Sequence, residues 1–465
     1  MKSSAEFWFD SRVAVARPTS PSHKDAGYSD HGVARSIEQL SNDLGWLDGQ
    51  RGPLGKVIRA GARVLVKPNF VLHENQGPWG LEPLVTHPSL VRLVTEAALR
   101  AGAEEVLVGD APVQGCDFPA LVAATGLDQW AQDLSRTEPR FMGIRDFRRT
   151  TCQLLNGVRV AQENLQDEDR FVLMDMAQES LLEPISDGRG SFRVTRYDPR
   201  LMARTHAPGK HQFLVAKEVL DADVIVNLPK LKTHKKAGVT CALKNLIGIN
   251  GNKEYLPHHR VGGAQSGGDC YPGGSRVKRA LEYSLDRQNM AGSVATARLW
   301  NDIAVNLDRA ARLTVDGLGV EGSWSGNDTI WRTCLDLNRI LLYGRADGTM
   351  AAGPQRRVIH LVDAVIAGHG DGPLSPQPLP LGMILAGQNA AAVDWVGAAL
   401  LGYDPARIAV VREAFGKFAW PITTSGTGDV QLEGDLGTGP AEELLRHFVP
   451  AAPITYPIGW RDAAR

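Results

Sequence analysis

The chain has 465 residues, of which 43% are apolar and 22% are charged, as in an ordinary globular protein. Its 51 Lys and Arg side chains balance 52 Asp and Glu, so no overall positive field favours a nucleic-acid partner. The five cysteines form no C-x-x-C pair, which argues against a zinc ribbon or a ferredoxin-type iron–sulfur module and favours a reducing compartment.

No segment of the sequence predicts a membrane span. The first 18 residues lack the continuous apolar region of a signal peptide. The most apolar window, residues 381–402, is interrupted by Gln388, Asn389 and Asp394, which makes it a poor transmembrane helix. We therefore expect a cytoplasmic protein without a membrane partner.

The first part of the chain predicts a β-α-β unit. Residues 63–70 form an apolar run rich in β-branched residues, typical of a buried strand. Residues 86–103 have helical periodicity, with Thr86 as a candidate N-cap, and residues 104–112 form a second apolar run. The lengths suit a right-handed parallel crossover, and residues 118–132 predict the next helix.

The middle of the chain changes character. Residues 134–215 contain short β-prone pieces and predict an inserted, mostly antiparallel region. Residues 217–228 return to a helix followed by a buried strand, and residues 238–249 predict a further helix. The glycine-rich residues 250–275 predict a mobile loop or lid, and residues 277–312 predict a long helical tract.

The last part of the chain completes the expected fold. Residues 357–373 predict a strand with a glycine-rich turn, residues 381–389 a further strand, and residues 390–405 a helix. The sequence thus predicts an α/β fold with a parallel or mostly parallel sheet and flanking helices, resembling a Rossmann fold. Its core would combine residues 1–133 and 216–405, followed by a C-terminal extension, residues 406–465.

Polar side chains follow each predicted core strand. In an open parallel sheet, the carboxyl ends of the strands meet at one edge, where ligands bind. We therefore expect these side chains to share a site. They are Lys67, Asn69, Asp110, Lys230, Lys232, His234, Asp363, His369 and Asp371.

The basic stretch LPKLKTHKKAG, residues 228–238, indicates an anionic ligand, because clustered cations repel each other unless a negative charge lies among them. Lys67, Lys230, Lys232 and Lys244 are the candidate anion ligands. A helix N-terminus near Gly238 would add partial positive charge. The other candidate substrate-binding residues are Asn69, Asn245, His258, His259 and His369.

The remaining candidates concern chemistry. His234 is the candidate acid–base group, with Lys232, Asp110 and Asp363 as further catalytic candidates. A divalent cation could be held by Asp110, Asp363 and Asp371, although their spacing is not diagnostic. Structural alternatives stay open: the basic stretch as a solvated loop, Asp110 as a helix cap, and Asp363 paired with a lysine.

Several blocks of the sequence resemble one family. The blocks VLVKPNF, THPSLV, VGDAP, ADVIVNLPKLKTH, ALKNLIGI, DGPL and AAAVDWVGAALLGYDP appear in the order seen in the domain of unknown function 362 family. The resemblance implies an α/β domain whose shared residues match many of the candidates above and Asp394. Many relatives carry an iron–sulfur segment; its absence here makes an iron–sulfur cofactor unexpected. The stretch HGDGP also replaces the relatives' Glu-Gly-x-Gly-Pro.

The sequence supports one leading hypothesis and two alternatives. The leading hypothesis is an enzyme, an isomerase, lyase or transferase, that acts on a small carboxylated or phosphorylated metabolite. A dehydrogenase is disfavoured because no G-x-G-x-x-G follows a strand. The alternatives are a redox protein, by analogy with iron–sulfur relatives, and a noncatalytic protein that binds an anionic ligand. The sequence leaves homo-oligomerisation, the cofactor and the substrate open.

Overall fold

The computed structural model describes residues 7–18, 27–155, 158–313 and 316–465. The strands, numbered in chain order, are β1 Arg12–Ala16, β2 Arg63–Pro68, β3 Glu105–Asp110, β4 Phe141–Asp146, β5 Thr150–Leu155, β6 Val158–Asn164, β7 Phe171–Asp175, β8 Phe192–Arg193, β9 His206–Ala207, β10 Lys210–Ala216, β11 Val224–Leu228, β12 Lys230–His234, β13 Gly238–Thr240, β14 His259–Arg260, β15 Arg357–Asp371, β16 Ser375–Gly387, β17 Gln431–Gly434 and β18 Gly439–Pro440.

The α-helices are short or of moderate length, and most flank the sheet. They are α1 Asp30–Asp43, α2 Pro88–Arg100, α3 Phe118–Ala124, α4 Leu127–Thr137, α5 Pro199–Thr205, α6 Lys217–Asp221, α7 Ala242–Asn245, α8 Arg276–Asn289, α9 Val294–Arg312, α10 Ile330–Tyr343, α11 Ala390–Leu400, α12 Ala409–Arg412 and α13 Ala441–Leu445. Within the described ranges, no helix has the length and apolar character needed to cross a lipid bilayer.

The main sheet is mixed but mostly parallel, which confirms the predicted α/β fold class. Its path runs β18-β17-β1-β16-β15-β11-β2-β3-β4, and β12 and β13 are attached beside β15. The neighbours from β15 to β4 pair in parallel, whereas β16 runs antiparallel to both β15 and β1. The predicted strands did not include β1 and β17, which extend the edge of the sheet beyond β16.

The sheet separates two apolar layers. Val13 and Val15 of β1 belong to one layer, whereas Ala14 and Ala16 belong to the other. This alternation follows from the two-residue period of a strand, whose successive side chains point to opposite faces. Helices α1 and α2 cover one face, and α10 and α11 cover the other.

The direction of the chain through the sheet reverses beside β2. From β2 the chain moves to β3 and β4 on one side, and then returns to β11 on the other side of β2. Such a reversal leaves a crevice beyond the carboxyl ends of the two neighbouring strands, which is where ligands bind in open α/β sheets. The topology therefore directs attention to the residues after β2 and β11.

Residues 230–234 of the basic stretch form a buried strand, so the interpretation of the whole stretch as a solvated loop was wrong; Lys235 and Lys236 lie in the turn that follows. After Pro229, the chain re-enters the sheet as β12, where Lys230 pairs with Asp363 and Lys232 pairs with Gly368 of β15. All five residues of β12 are buried. Backbone pairing with the long strand β15 satisfies the main chain, which lets a polar sequence lie inside the protein.

Three helix predictions also need correction. The expected helix 118–132 is two helices, separated at Gly126, whose φ of +67° suits glycine. The expected helix 238–249 consists of β13, the four-residue α7 and a 3₁₀ turn, so no helix begins near Gly238. His87, not Thr86, is the N-cap of α2; the Thr86 hydroxyl instead donates to the Leu228 carbonyl at 2.6 Å.

The insertion and the helical tract differ in detail from expectation. Strand β4 belongs to the main sheet, so the β-rich region that departs from it begins after Asp146 with a β5–β6 hairpin. The expected helical tract is the antiparallel pair α8 and α9. Within residues 250–275, short 3₁₀ turns and β14 replace a structureless loop.

Candidate anion-binding site

The carboxyl ends of β2, β3, β11 and β15 bring together two buried ion pairs. One joins Lys67 Nζ and Asp110 Oδ1 at 2.7 Å. The other joins Lys230 Nζ and Asp363 Oδ2 at 2.6 Å, with both side chains completely buried. Residues far apart in sequence meet here because parallel strands end at a common edge. The expected convergence of these four residues is therefore present.

Asp363 lies at the centre of a saturated network. Its Oδ1 accepts a hydrogen bond from the Tyr28 hydroxyl at 2.6 Å, and its Oδ2 accepts one from the His87 backbone N–H at 2.8 Å. Lys230 Nζ also donates to the Tyr28 hydroxyl at 3.0 Å and to the Ile366 carbonyl at 3.2 Å. Burial and the Asp363 charge raise the pKa of Tyr28 well above its usual value. These hydrogen bonds satisfy Asp363 and Lys230, as a stable buried ion pair requires.

Asp110 is held in the same manner. The Phe70 backbone N–H donates to its Oδ2 at 2.7 Å, and Lys67 Nζ also donates to the Pro68 carbonyl at 3.1 Å. Burial lowers the pKa of Lys67 and raises the pKa of Asp110, while their mutual attraction opposes both shifts. A Cβ atom at Gly248 would lie 2.0 Å from Asp110 Oδ1, so only glycine fits against this pair.

Lys232 differs from its neighbours because no carboxylate neutralises it. Its Nζ donates to Asn69 Oδ1 at 2.8 Å and to the Leu84 carbonyl, and the side chain is buried. Within the described ranges it forms no ion pair. Burial first, and then the charges of Lys230 and Lys244, hold the pKa of Lys232 well below its usual value. Buried positive charge without a counter-ion is costly.

Three more lysines share this property. Among the residues that the structure describes, no carboxylate lies within ion-pair distance of Lys236, Lys244 or Lys253. Lys236 Nζ donates to Thr195 Oγ1 at 2.9 Å. Burial lowers the pKa of each, and the charges of Lys244 and Lys236 help to lower the pKa of Lys253 to about 8. We call Lys232, Lys236, Lys244 and Lys253 the lysine cluster.

His234 lies beside this cluster with one tautomer fixed. Its Nδ1 accepts hydrogen bonds from the backbone N–H groups of Lys236 at 3.0 Å and Ala237 at 3.2 Å. The proton of the neutral ring is therefore on Nε2. Burial first, and then the charges of Lys244, Lys236 and Lys232, hold the pKa of His234 well below its usual value. At neutral pH the ring is a hydrogen-bond donor rather than a base.

His258 belongs to the same neighbourhood but shows the opposite tautomer. Its Nδ1 lies 2.6 Å from the Leu256 carbonyl, so this nitrogen carries the proton and Nε2 is an acceptor. Burial and the charges of Lys236, Lys253 and Lys244 lower its pKa. The two histidines thus present one donor and one acceptor near the same lysines.

Asn245 connects the cluster to the end of β2. Its Nδ2 donates to Asn227 Oδ1 at 2.7 Å, and Asn227 in turn donates to the Ala242 carbonyl. Asn245 Oδ1 is buried and has no hydrogen-bond partner within the described ranges. Such an unpaired buried atom is unusual in a folded protein. Asn69, which accepts from Lys232, and Asn245, which follows Lys244, both lie beside the lysine cluster.

The structure places His369 and Asp371 apart from the lysine cluster. His369 Nδ1 accepts from the Thr455 backbone N–H at 2.9 Å, and Asp371, which is exposed, lies 3.6 Å from Lys235. His259 lines a cavity of about 370 Å³ beneath α8 and α9, whose edge includes Thr195, the hydrogen-bond partner of Lys236. Asp371 and Asp363 are eight residues apart in one strand, or roughly 25 Å, so they do not share one cation.

Asp394 serves backbone groups instead of pairing with the basic stretch. Both carboxylate oxygens lie 3.3 Å from the backbone N–H of Leu243, at the start of α7. Burial raises the pKa of Asp394 to about 7, and the hydrogen bond from the Cys241 thiol opposes that rise. Asp394 therefore stabilises the start of α7.

The cysteines do not supply the ligands of an iron–sulfur cluster. The five cysteines form no disulfide with one another, and Cys116, Cys241, Cys270 and Cys334 are buried. Within the described ranges, no three His, Cys, Asp or Glu side chains are grouped as metal ligands. Iron–sulfur clusters in proteins need such a convergence of thiolates, so the donor set in this chain does not fit one.

Lys236, Lys253 and Tyr28 were not among the candidate residues. Lys236 lies in the basic stretch and was therefore within reach of sequence reasoning. Lys253 follows the glycine-rich turn after α7, and only its nearness to His258 in the sequence hints at a role. Tyr28 is 335 residues away from Asp363, and no local pattern connects the two.

Comparison with known proteins identifies the family. The model of the family described as "Domain of unknown function (DUF362)" matches residues 64–174 and 170–399. The chain belongs to this family. A thylakoid-associated protein from Synechocystis sp. is 22% identical over 357 residues, which cover 77% of this chain and 68% of that protein. The predicted family membership is thus confirmed.

Two solved structures are distantly similar to this member of the family. A Thermotoga maritima protein shares 12% identity at a TM-score of 0.30, covering 78% of this chain and 56% of its own. The lactate racemase apoprotein from Thermoanaerobacterium thermosaccharolyticum shares 10% identity at a TM-score of 0.30, with coverages of 85% and 58%. The chain thus spans somewhat more than half the length of each solved chain.

Proposed function

We propose that this family member is an enzyme that acts on a small carboxylated or phosphorylated metabolite held by the lysine cluster. One observation carries the proposal: four buried or half-buried lysines lie together without a carboxylate partner in the described part of the chain. An anionic group would supply the missing negative charge and several charge-assisted hydrogen bonds. The position beside the β2–β11 reversal supports a ligand site.

His234 is the proposed proton-transfer group. In the free protein burial first, and then the surrounding ammonium charges, hold the pKa of His234 well below its usual value, so its ring is neutral. A bound anion would offset these charges and raise the pKa of His234 towards neutrality, where a histidine exchanges protons efficiently. Ligand binding would therefore activate the residue. This chemistry suits an isomerase, lyase or transferase.

Asp110 and Asp363 would position their lysine partners and would take no part in proton transfer. Each is already held by a lysine and by backbone N–H groups, so neither is free to accept a proton from a substrate. Lys67 and Lys230, their partners, would shape the rim and contribute to its positive potential. The direct ligands of the anion would be the lysine cluster, with Asn69 and Asn245 beside it.

A noncatalytic anion-binding protein is the second candidate. The saturation of both carboxylates and the suppressed basicity of His234 favour it, because they leave the resting site without a ready base. A screen of carboxylated and phosphorylated metabolites by thermal shift would find ligands for either function. His234→Gln would then separate the two: an enzyme loses turnover but keeps affinity within about threefold, whereas a binder shows no turnover in any variant.

The matched control for the screen is Lys235→Met. Lys235 lies in the same basic stretch, but it is exposed and lies 3.6 Å from Asp371. We expect Lys244→Met to abolish the ligand-induced thermal shift and Lys235→Met to retain it. Equal shifts in both variants would contradict the proposal. We also propose a cytoplasmic location, which cell fractionation tests.

A further inference from the structure

A cavity of about 370 Å³ lies between the α8–α9 pair and the short β8–β14 ladder. In that ladder His259 pairs with Arg193, and both residues line the cavity. The volume equals that of roughly a dozen water molecules at about 30 Å³ each, and it lies within the usual range of small-molecule pockets. An inorganic anion would leave most of this space empty, so the cavity suits an organic molecule.

The apolar part of the lining comes mainly from the two helices. Leu281 and Leu285 of α8, Ala304 and Val305 of α9, and Val320 from the segment after α9 supply it. Three of these residues belong to a small apolar cluster that is separate from the two layers of the main sheet. Because these side chains face a cavity, they present apolar surface that a ligand can bury.

The charged part of the lining is balanced. It contains four arginines and four acidic side chains. Arg193 pairs with Asp286 at 2.9 Å, and Arg312 pairs with Asp308 at 2.7 Å. The cavity itself therefore suits an uncharged organic body better than a second anionic group.

His259 gives the cavity wall hydrogen-bonding capacity that the described residues do not use. Its side chain is buried, and its Nδ1 has no hydrogen-bond partner within the described ranges. Burial first, and then the charges of Lys236 and Arg193, hold the pKa of His259 well below its usual value, so the ring is neutral. Such an unpaired buried group is unusual. A neutral imidazole has one donor and one acceptor, so a hydroxyl or amide group of a ligand would suit either tautomer.

One hydrogen bond joins the cavity to the lysine cluster. Lys236 Nζ donates to Thr195 Oγ1 at 2.9 Å, and Thr195 lines the cavity. Lys236 is half-buried and forms no ion pair with the residues that the structure describes. Its ammonium group thus lies one hydrogen bond away from the cavity wall. An anionic group bound at Lys236 places the rest of its molecule beside the cavity.

We propose that this cavity holds the organic body of a metabolite whose anionic group is bound at Lys236. The inference rests on the proposed function and narrows its substrate class to an organic phosphate or carboxylate with a partly apolar body that carries a hydroxyl or amide group. The apolar side chains bury that body, His259 binds its polar group, and Lys236 binds the anion.

The test compares inorganic phosphate with 1-naphthyl phosphate, which adds an apolar body to the same anionic group, by calorimetry at pH 8 and constant ionic strength. Ala304→Phe fills the cavity from α9; Val305→Trp, at a position that is 43% exposed, narrows it with less risk to folding. Ala310→Phe is the matched control, because Ala310 is exposed on the same helix and does not line the cavity. Lys236→Met removes the cation at the junction, and Lys235→Met is its control.

We expect 1-naphthyl phosphate to bind at least tenfold more tightly than phosphate, because the cavity removes the ring from water. Ala304→Phe and Val305→Trp should each remove most of this gain and leave phosphate affinity within about twofold, whereas Ala310→Phe should retain the gain. Lys236→Met should weaken 1-naphthyl phosphate at least fivefold, and Lys235→Met less than twofold.

The outcomes separate this inference from the function on which it rests. If phosphate binds but the naphthyl group adds no affinity, or if its gain survives both cavity variants, the cavity proposal is wrong and the anion site stands. If the cavity variants remove the gain but Lys236→Met has no effect, the cavity is separate from the lysine cluster and the proposal is also wrong. If neither compound binds to the folded protein, the proposed anion site fails and this inference fails with it.

Discussion

The backbone N–H of Lys236 donates to His234 Nδ1 at 3.0 Å, within one turn of the β12–β13 hairpin. The same residue therefore fixes the tautomer of His234 and, through its ammonium group, lowers the pKa of that ring. The backbone and the side chain of Lys236 thus both act on His234. In the free protein the ring is therefore a neutral Nε2–H donor.

The first prediction concerns the titration of His234. Without an anion, its ring should stay neutral at pH values that protonate an ordinary histidine, since burial first and then the charges of the lysine cluster oppose protonation. Adding phosphate should raise the pKa of His234, because the bound anion offsets part of the positive charge. Long-range ¹H–¹⁵N spectra report both the tautomer and the titration. Chloride at matched ionic strength is the control; an unchanged pKa with saturating phosphate would separate His234 from the anion site.

The second prediction concerns the buried ion pair of Lys230 and Asp363. Asp363→Asn removes one charge and leaves a buried ammonium unpaired, so we expect a loss of about 3–5 kcal/mol in the free energy of unfolding. Asp371→Asn is the matched control, since Asp371 is exposed in the same strand, and it should change stability by less than about 0.5 kcal/mol. Urea unfolding measures both. Similar losses of unfolding free energy in the two variants would show that the buried pair contributes no more to stability than an exposed carboxylate.

The third prediction concerns the close approach of Gly248 to Asp110. Gly248→Ala places a Cβ atom 2.0 Å from Asp110 Oδ1, so the backbone or the ion pair must shift. We expect a destabilisation of about 1–3 kcal/mol, typical of overpacking, measured by thermal unfolding. Gly115→Ala is the control, because no atom lies within 4 Å of a Cβ atom at that position. A neutral Gly248→Ala variant would contradict this tight packing.

The fourth prediction concerns the loss of folding stability that the buried charge of Lys253 causes in the free protein. Its pKa is about 8 in the fold but about 10.4 in an unfolded chain. Between these values the unfolded chain holds more protons, so the contribution of Lys253 to stability rises with pH; below pH 8 its destabilising effect is complete. Lys253→Met should therefore stabilise the free protein at pH 7, by roughly 0.5–2 kcal/mol, and less at pH 9.5.

The control for this prediction is Lys235→Met, which removes an exposed lysine and should show little dependence on pH. The measurement is the unfolding free energy of both variants at the two pH values. If Lys253→Met destabilises the protein equally at both, Lys253 has a structural role and its charge carries no penalty. A stabilised variant that also loses affinity for phosphate would indicate a trade of stability for binding.

Much of the sheet could be predicted because its signals are local. Residues 63–70, 104–112 and 217–228 combine apolar runs with clear ends, and these became β2, β3 and α6–β11. Strands β1 and β17 were missed, since short runs far from the other strands carry little signal. Their place depends on pairing with β16 and with each other, which is a tertiary property.

The convergence of the candidate residues at one edge could be predicted from the sequence, but the pairing of their charges could not. The topological rule brought Lys67, Asp110, Lys230 and Asp363 to one edge. Which lysine would pair with which aspartate depended on register, because Lys230 lies opposite Asp363 in neighbouring strands. The burial of Lys232 and the addition of Lys253 depended on the packing of segments that sequence periodicity does not place.

The most direct test of the central claim is to locate a bound anion in crystals. Selenate mimics phosphate in shape and charge, and its selenium atom gives an anomalous signal that identifies it unambiguously. The account predicts an anomalous peak within hydrogen-bonding distance of at least two ammonium groups of the lysine cluster, absent from crystals of Lys244→Met. Well-occupied peaks elsewhere on the protein, with none among Lys232, Lys236, Lys244 and Lys253, would contradict it.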